Sequence, residues 1–126
     1  MKILIADDSV FVCDRMSTIL GDIPGVEIVG RAYDVPGALS SIDQLKPDVV
    51  ILDVKMPGGS GFDVLRSVKR EGHPPVVIML TNYPSPQYRD RSFAAGADYF
   101  FDKSNEFEKV AGVLDDLKSM PQLSEQ

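Results

Sequence analysis

Cysteine is nearly missing from this chain of 126 residues: Cys13 stands alone, which excludes an internal disulfide framework and fits a reducing compartment. Histidine is equally scarce. His73, the single one, lies in Glu71-Gly-His-Pro-Pro without partners for a metal site and reads as a solvated loop residue. Long apolar runs are lacking too, since Val49 to Leu52 and Val76 to Leu80 are strand-sized and far short of the roughly 20 residues that cross a bilayer. The start, Met1-Lys2-Ile3-Leu4-Ile5, runs directly into a strand with no cleavage-site pattern, so neither membrane nor export is expected and a cytoplasmic location is. Positive charge is in deficit: 13 Lys and Arg against 19 Asp and Glu give a net charge of −6. No basic cluster offsets it, so nucleic acid is not an expected partner.

What is present has the proportions of one compact domain, 44% hydrophobic and 25% charged. Short runs rich in Ile, Val and Leu recur at Ile3–Ala6, Val26–Gly30, Val49–Asp53, Val76–Leu80 and Ala97–Phe101. Between them lie residues at helical spacing: Val12, Met16, Ile19 and Leu20; Ala38, Leu39, Ile42 and Leu45; Phe62, Leu65 and Val68; Phe93 and Ala94; Phe107, Val110, Leu114 and Leu117. Ser9 suits the first helix N-cap, Gly21 its end, Pro47 the stop of the second, Ser85-Pro86 the start of the fourth and Gly96 its left-handed stop. Apolar runs without alternation call for strands buried on both faces. The expectation is an α/β fold: a five-stranded parallel sheet of order 2-1-3-4-5, doubly wound, with helices on both faces. Residues 1–118 form the domain, and residues 119–126, polar and containing Pro121, read as a tail or the start of a linker.

In an open parallel sheet the functional edge lies at the carboxyl ends of the strands. The first strand ends in Asp7-Asp8, the third in Asp53, the fourth in Thr81, and Lys103 follows the fifth. The strand order makes these neighbours, so they converge on one patch. Clustered carboxylates repel, by about 4 kcal/mol for two unit charges 4 Å apart at an effective dielectric near 20. A cation must offset them, and an all-oxygen donor set favours Mg²⁺, with Lys103 as a second positive charge. A carboxylate beside such an ion can attack phosphorus, while Lys103 and the Thr81 hydroxyl stabilise the transferred oxygens. Taken singly, the residues have duller explanations: an acidic helix start for Asp7 and Asp8, a loop-capping hydroxyl for Thr81, a surface charge for Lys103 and core filling for Phe100.

Four ordered motifs, Ile-Ala-Asp7-Asp8-Ser, Asp53-Val-Lys-Met56-Pro57-Gly-Gly-Ser-Gly61, Leu-Thr81-Asn and Gly96-Ala-Asp-Tyr-Phe-Phe-Asp-Lys103, resemble the response-regulator receiver family of two-component signalling. The resemblance covers Lys2 to about Lys118. It implies that Asp53 is the phosphoacceptor, that Asp8, Asp53 and the Lys55 backbone carbonyl hold Mg²⁺ with help from Asp7, and that Thr81 and Phe100 form the switch. It further implies a histidine kinase or phosphotransfer protein as donor, readout through the fourth helix, fifth strand and fifth helix, and an effector protein or output domain downstream, with weak self-association left open. The domain then assists its own phosphorylation and dephosphorylation without being a multiple-turnover enzyme.

The chain departs from the family pattern at Phe100, often Tyr; at Ser104, where proline commonly follows the lysine; at Asn82, where a small residue is usual; and at Cys13, where arginine is common. One alternative is a receiver cut from a longer transcriptional regulator. A Mg²⁺-dependent phosphohydrolase of the haloacid dehalogenase type wants a second Asp where Lys55 stands, and an FMN binder wants a first loop without Asp7-Asp8.

Overall fold

A computed structural model describes residues 1–119 of the chain. Five strands, β1 (Lys2–Ala6), β2 (Glu27–Ala32), β3 (Val49–Leu52), β4 (Val76–Thr81) and β5 (Tyr99–Asp102), alternate with five helices. These are α1 (Val10–Gly21), α2 (Val35–Leu45), α3 (Gly61–Val68), α4 (Pro86–Ala94) and α5 (Lys109–Lys118). All four strand pairings are parallel, and the order is β2-β1-β3-β4-β5. This is the doubly wound arrangement expected from the apolar runs.

Successive residues of a strand face opposite sides of the sheet, and the sheet therefore sorts its apolar residues into two cores. Ile3, Ile5, Val49, Ile51, Ile78 and Leu80 pack against α1 and α5. Leu4, Ala6, Val50, Leu52, Val77 and Met79 pack against α2, α3 and the Tyr88 side of α4. Central β1, β3 and β4 are buried almost throughout, whereas edge strand β2 is half-exposed. The edge strands are also where the elements differ from expectation: β2 starts at Glu27 and runs on to Ala32, and β5 starts at Tyr99 rather than Ala97. Apolar content alone sets poor limits on strands paired on one side.

Local signals placed the helices well. The Ser9, Asp34 and Ser85 side chains accept bonds from backbone N–H groups in the first turns of α1, α2 and α4. Gly96 adopts φ +105°, the left-handed stop after α4. Gly21 is instead the last residue of α1, with Asp22 as a right-handed cap. Helix α4 corrects another expectation: Ser92 is buried while Phe93 stays 40% exposed. The Ser92 hydroxyl donates to the Tyr88 carbonyl (2.7 Å) within the helix, which removes the cost of burying it, and Phe93 lies beside the Arg89 guanidinium. His73 is exposed, as expected. No peptide bond among the described residues is cis, in line with Ser104 after Lys103. The tail expected over 119–126 lies, apart from Ser119, outside the described residues.

After β3 the chain forms a short antiparallel ribbon, Lys55–Met56 against Gly59–Ser60, turned by Pro57 and by Gly58 at φ +86°. The ribbon leads into α3, whose first residue is Gly61. The Gly61 N–H donates to the Val54 carbonyl (2.7 Å), and a Cβ at this position would run into the Asp53 carbonyl oxygen. Backbone cannot yield as a flexible side chain would. Gly61→Ala is therefore expected to lower the unfolding free energy by about 1–3 kcal/mol in urea titration; an unchanged midpoint would show that this close approach is not needed.

Candidate functional site

Asp7, Asp53 and Lys103 each stand one residue beyond a strand, yet the sheet ladder still holds their backbones. The Asp7 N–H donates to the Ala32 carbonyl, that of Asp53 to Ala6 and that of Lys103 to Thr81, each at 2.9 Å. Thr81 closes β4. Four residues widely separated in sequence are thus fixed side by side on the carboxyl edge, and the side chains of Asp7, Asp53 and Lys103 meet because their main chains cannot drift.

Lys103 is the centre of the cluster. Its Nζ lies 2.5 Å from Asp7 Oδ2 and 3.0 Å from Asp53 Oδ2, and all three side chains are more than nine-tenths buried. Asp7 is held from its other side by the Ser9 N–H, which donates to Oδ1 (2.9 Å) as Ser9 opens α1. Asp8, next in sequence, is exposed. Asp7, Asp8 and Asp53 each present a carboxylate oxygen within 4.8 Å of the others.

Burial pushes the Asp53 carboxyl up from its ordinary 3.8 to about 6; Lys103 pulls against this, and the Asp7 charge adds to the rise. Burial by itself would lower Lys103, but the hydrogen bond to Asp7 and the charges of Asp53 and Asp7 outweigh it and raise the ammonium above its ordinary value. Three carboxylates against one ammonium leave two negative charges uncompensated. That balance, with oxygen donors alone and one of them open to solvent, fits a hard divalent cation such as Mg²⁺.

The other expected residues are placed as follows. Thr81 is fully buried, and its hydroxyl accepts a bond from the Tyr83 N–H (3.0 Å), so it caps its own loop in this state. Phe100, 5% exposed, is packed inward against the β4 side of the α2–α4 core. Lys55 lies in the ribbon beyond Asp53, and its ammonium sits 4.0 Å from the centre of the Tyr83 ring. Two contacts were not foreseen: the Asp7–Lys103 pair and the Lys55–Tyr83 contact. Opposite charges at the ends of β1 and β5 hinted at the first, whereas nothing in the sequence pointed to the second.

The family model described as the response regulator receiver domain matches residues 3–115. A protein-glutamate methylesterase/protein-glutamine glutaminase of Methanospirillum hungatei JF-1 is 32% identical over 120 residues, covering 94% of this chain and 35% of that protein. The sensory transduction protein LytT of Bacillus cereus is 30% identical over 122 residues, 97% of this chain and 49% of that protein. The chain therefore spans half or less of the length of these relatives. Among solved structures, the signal receiver domain of the putative response regulator NarL from Mycobacterium tuberculosis superposes with a TM-score of 0.84 at 30% identity, covering 94% of this chain and 97% of that one.

The raised Asp53 value has a measurable sign. A carboxyl that holds its proton more tightly in the fold than in the unfolded chain favours folding at low pH, and this contribution is lost as pH rises through about 6. In metal-free buffer Asp53→Asn is expected to raise the unfolding free energy at about pH 7.5 by about 1–3 kcal/mol, the gain fading towards about pH 4. Urea titrations of both proteins at the two pH values check this, and a gain that grows on acidification would reverse the assignment.

Proposed function

The chain belongs to the response regulator receiver domain family, and from that premise we propose that Asp53 accepts a phosphoryl group from a histidine kinase or phosphotransfer protein and that the domain relays this event to an effector. The observation that carries the reading is the buried Asp7–Lys103–Asp53 cluster beside exposed Asp8. Small phosphodonors serve in place of the protein donor.

Asp53 is the nucleophile. One of its carboxylate oxygens attacks phosphorus, the bond to the donor's leaving group breaks, and an acyl phosphate forms. Lys103, already within 3.0 Å of Asp53, faces the transferred oxygens with its ammonium. Asp7, Asp8, Asp53 and the Lys55 backbone carbonyl are the groups that would hold Mg²⁺, which supplies positive charge against the phosphoryl oxygens. Phosphorylation brings nearly two negative charges to a sheet edge that is already acidic. Lys103 then has a third anionic claimant, and the Thr81 hydroxyl leaves the Tyr83 N–H to donate to the phosphoryl group. The switch is a shift between two populated states, and Phe100, buried beside β4, is the aromatic that follows Thr81. Readout is through α4, β5 and α5.

The domain is a phosphoacceptor rather than a multiple-turnover enzyme, and any catalytic or DNA-binding activity belongs to a partner or to an output domain. Among the described residues no helix is long and apolar enough to cross a membrane, and we place the domain in the cytoplasm.

Incubation with acetyl phosphate and Mg²⁺ is expected to add the mass of one phosphoryl group, measured on the intact protein. Chelation of the metal should suppress the gain and Asp53→Asn should abolish it. A gain that survives the substitution would move the acceptor to another residue.

A further inference from the structure

At the edge of the sheet opposite Asp53, the ends of α2 and α3 and the segments entering β3 and β4 enclose a groove of about 760 Å³. Its floor is apolar: Ile42, Val68, Pro47 and Pro75 are buried beneath it. Its rim is charged. Asp43, Asp48 and Glu71 stand there against one ammonium, that of Lys46, and one imidazole, that of His73. Lys46, 3.6 Å from Asp43, answers one of the three acids, while Asp48 accepts from an uncharged donor, the Lys2 backbone N–H (2.7 Å). A group suited to this groove brings hydrocarbon for the floor and positive charge for the rim.

The chain carries such a group on its own surface. The exposed large apolar residues among those described are Val10, Phe11, Tyr33, Tyr83 and Phe93. Val10 and Phe11 follow Asp7-Asp8, which an acidic rim repels, and both tyrosines have a hydroxyl that must stay hydrated. Phe93 differs. It is 40% exposed near the end of α4, has no polar side-chain atom, and the Arg89 guanidinium lies 5.1 Å from its ring centre. Neither Phe93 nor Arg89 lines the groove, so this plug and this groove meet only between two copies.

We propose that the chain associates with a second copy of itself through this pair of surfaces, Phe93 of one copy seated on the Ile42–Val68 floor of the other with its Arg89 facing Asp48 and Glu71. The contact joins two different surfaces and is heterologous, unlike one that pairs a surface with itself. A net charge of −6 opposes association, but at physiological salt that repulsion is screened beyond about 8 Å, whereas guanidinium and rim meet at contact distance. A single anchoring ring buries far less than the roughly 1,200 Å² of a stable interface, so the dissociation constant is about 0.1–1 mM. The groove lies at the amino edge of the sheet, and Asp53 stays open in the assembly.

The test uses the full chain. Phe93→Ser removes the plug and Asp43→Lys/Glu71→Lys reverses the rim; all three positions are exposed, and each variant is checked for an intact thermal transition. In sedimentation equilibrium the wild type is expected to associate on approaching about 1 mM, and each variant alone should do so about ten-fold more weakly or less. Mixing the two variants should restore the contact, because one keeps the groove and the other keeps the plug. Isotope-labelled Phe93→Ser protein, titrated with unlabelled Asp43→Lys/Glu71→Lys protein, should then show amide shifts at Ile42, Val68 and Glu71 at concentrations where neither variant associates alone. A wild type that stays monomeric to about 1 mM overturns the proposal. So does a rim-reversed variant that associates as the wild type does, the result for α4 pairing with itself, or a mixture that gives no shifts in the groove.

Discussion

One ammonium between two buried carboxylates organises this molecule. Lys103 follows β5, Asp7 follows β1 and Asp53 follows β3, so the contact ties together three of the five strands at their carboxyl edge. Such a triad is costly to desolvate, and each buried carboxylate touches the one ammonium they share. Removing the cation would strand two acids out of water, and removing one acid leaves the other to carry the pair. With exposed Asp8 beside it, the cluster holds more negative than positive charge and is better suited to taking up a further cation than to holding the fold together.

The strand ladder makes the cluster possible. Bonds from Asp7, Asp53 and Lys103 to neighbouring carbonyls extend the sheet past its formal ends. Because β4 offers its Thr81 carbonyl to Lys103 and its Thr81 hydroxyl to Tyr83, the cation and the loop after β4 share one anchor residue. Any movement of Thr81 is felt on both sides of the site.

Much of this was legible in the residues. Apolar runs of strand length fixed the central strands, and Ser9, Ser85 and Gly96 marked helix ends because capping is a local matter of one side chain or one left-handed residue. The converging site residues were legible for a related reason: in a parallel sheet their place follows from strand order. Edge-strand limits were less so, since β2 and β5 lack a partner on one side and their burial is partial. Phe93 was read as core from its spacing, whereas the Ser92 hydroxyl bonded within its own helix and took the buried position. Which carboxylates Lys103 would choose, and that Lys55 would settle on Tyr83, depend on rotamers selected across long sequence separations. Local pattern carries no record of those choices.

The sheet also partitions the protein into two packing compartments that meet only through the β-strands themselves. Side chains beneath α1 and α5 belong to one, and those beneath α2 and α3 to the other. A substitution that reshapes one helical layer leaves the opposite layer's packing largely untouched. Two surfaces of a single small domain are thereby free to diverge at different rates, with the carboxyl edge of the sheet common to both.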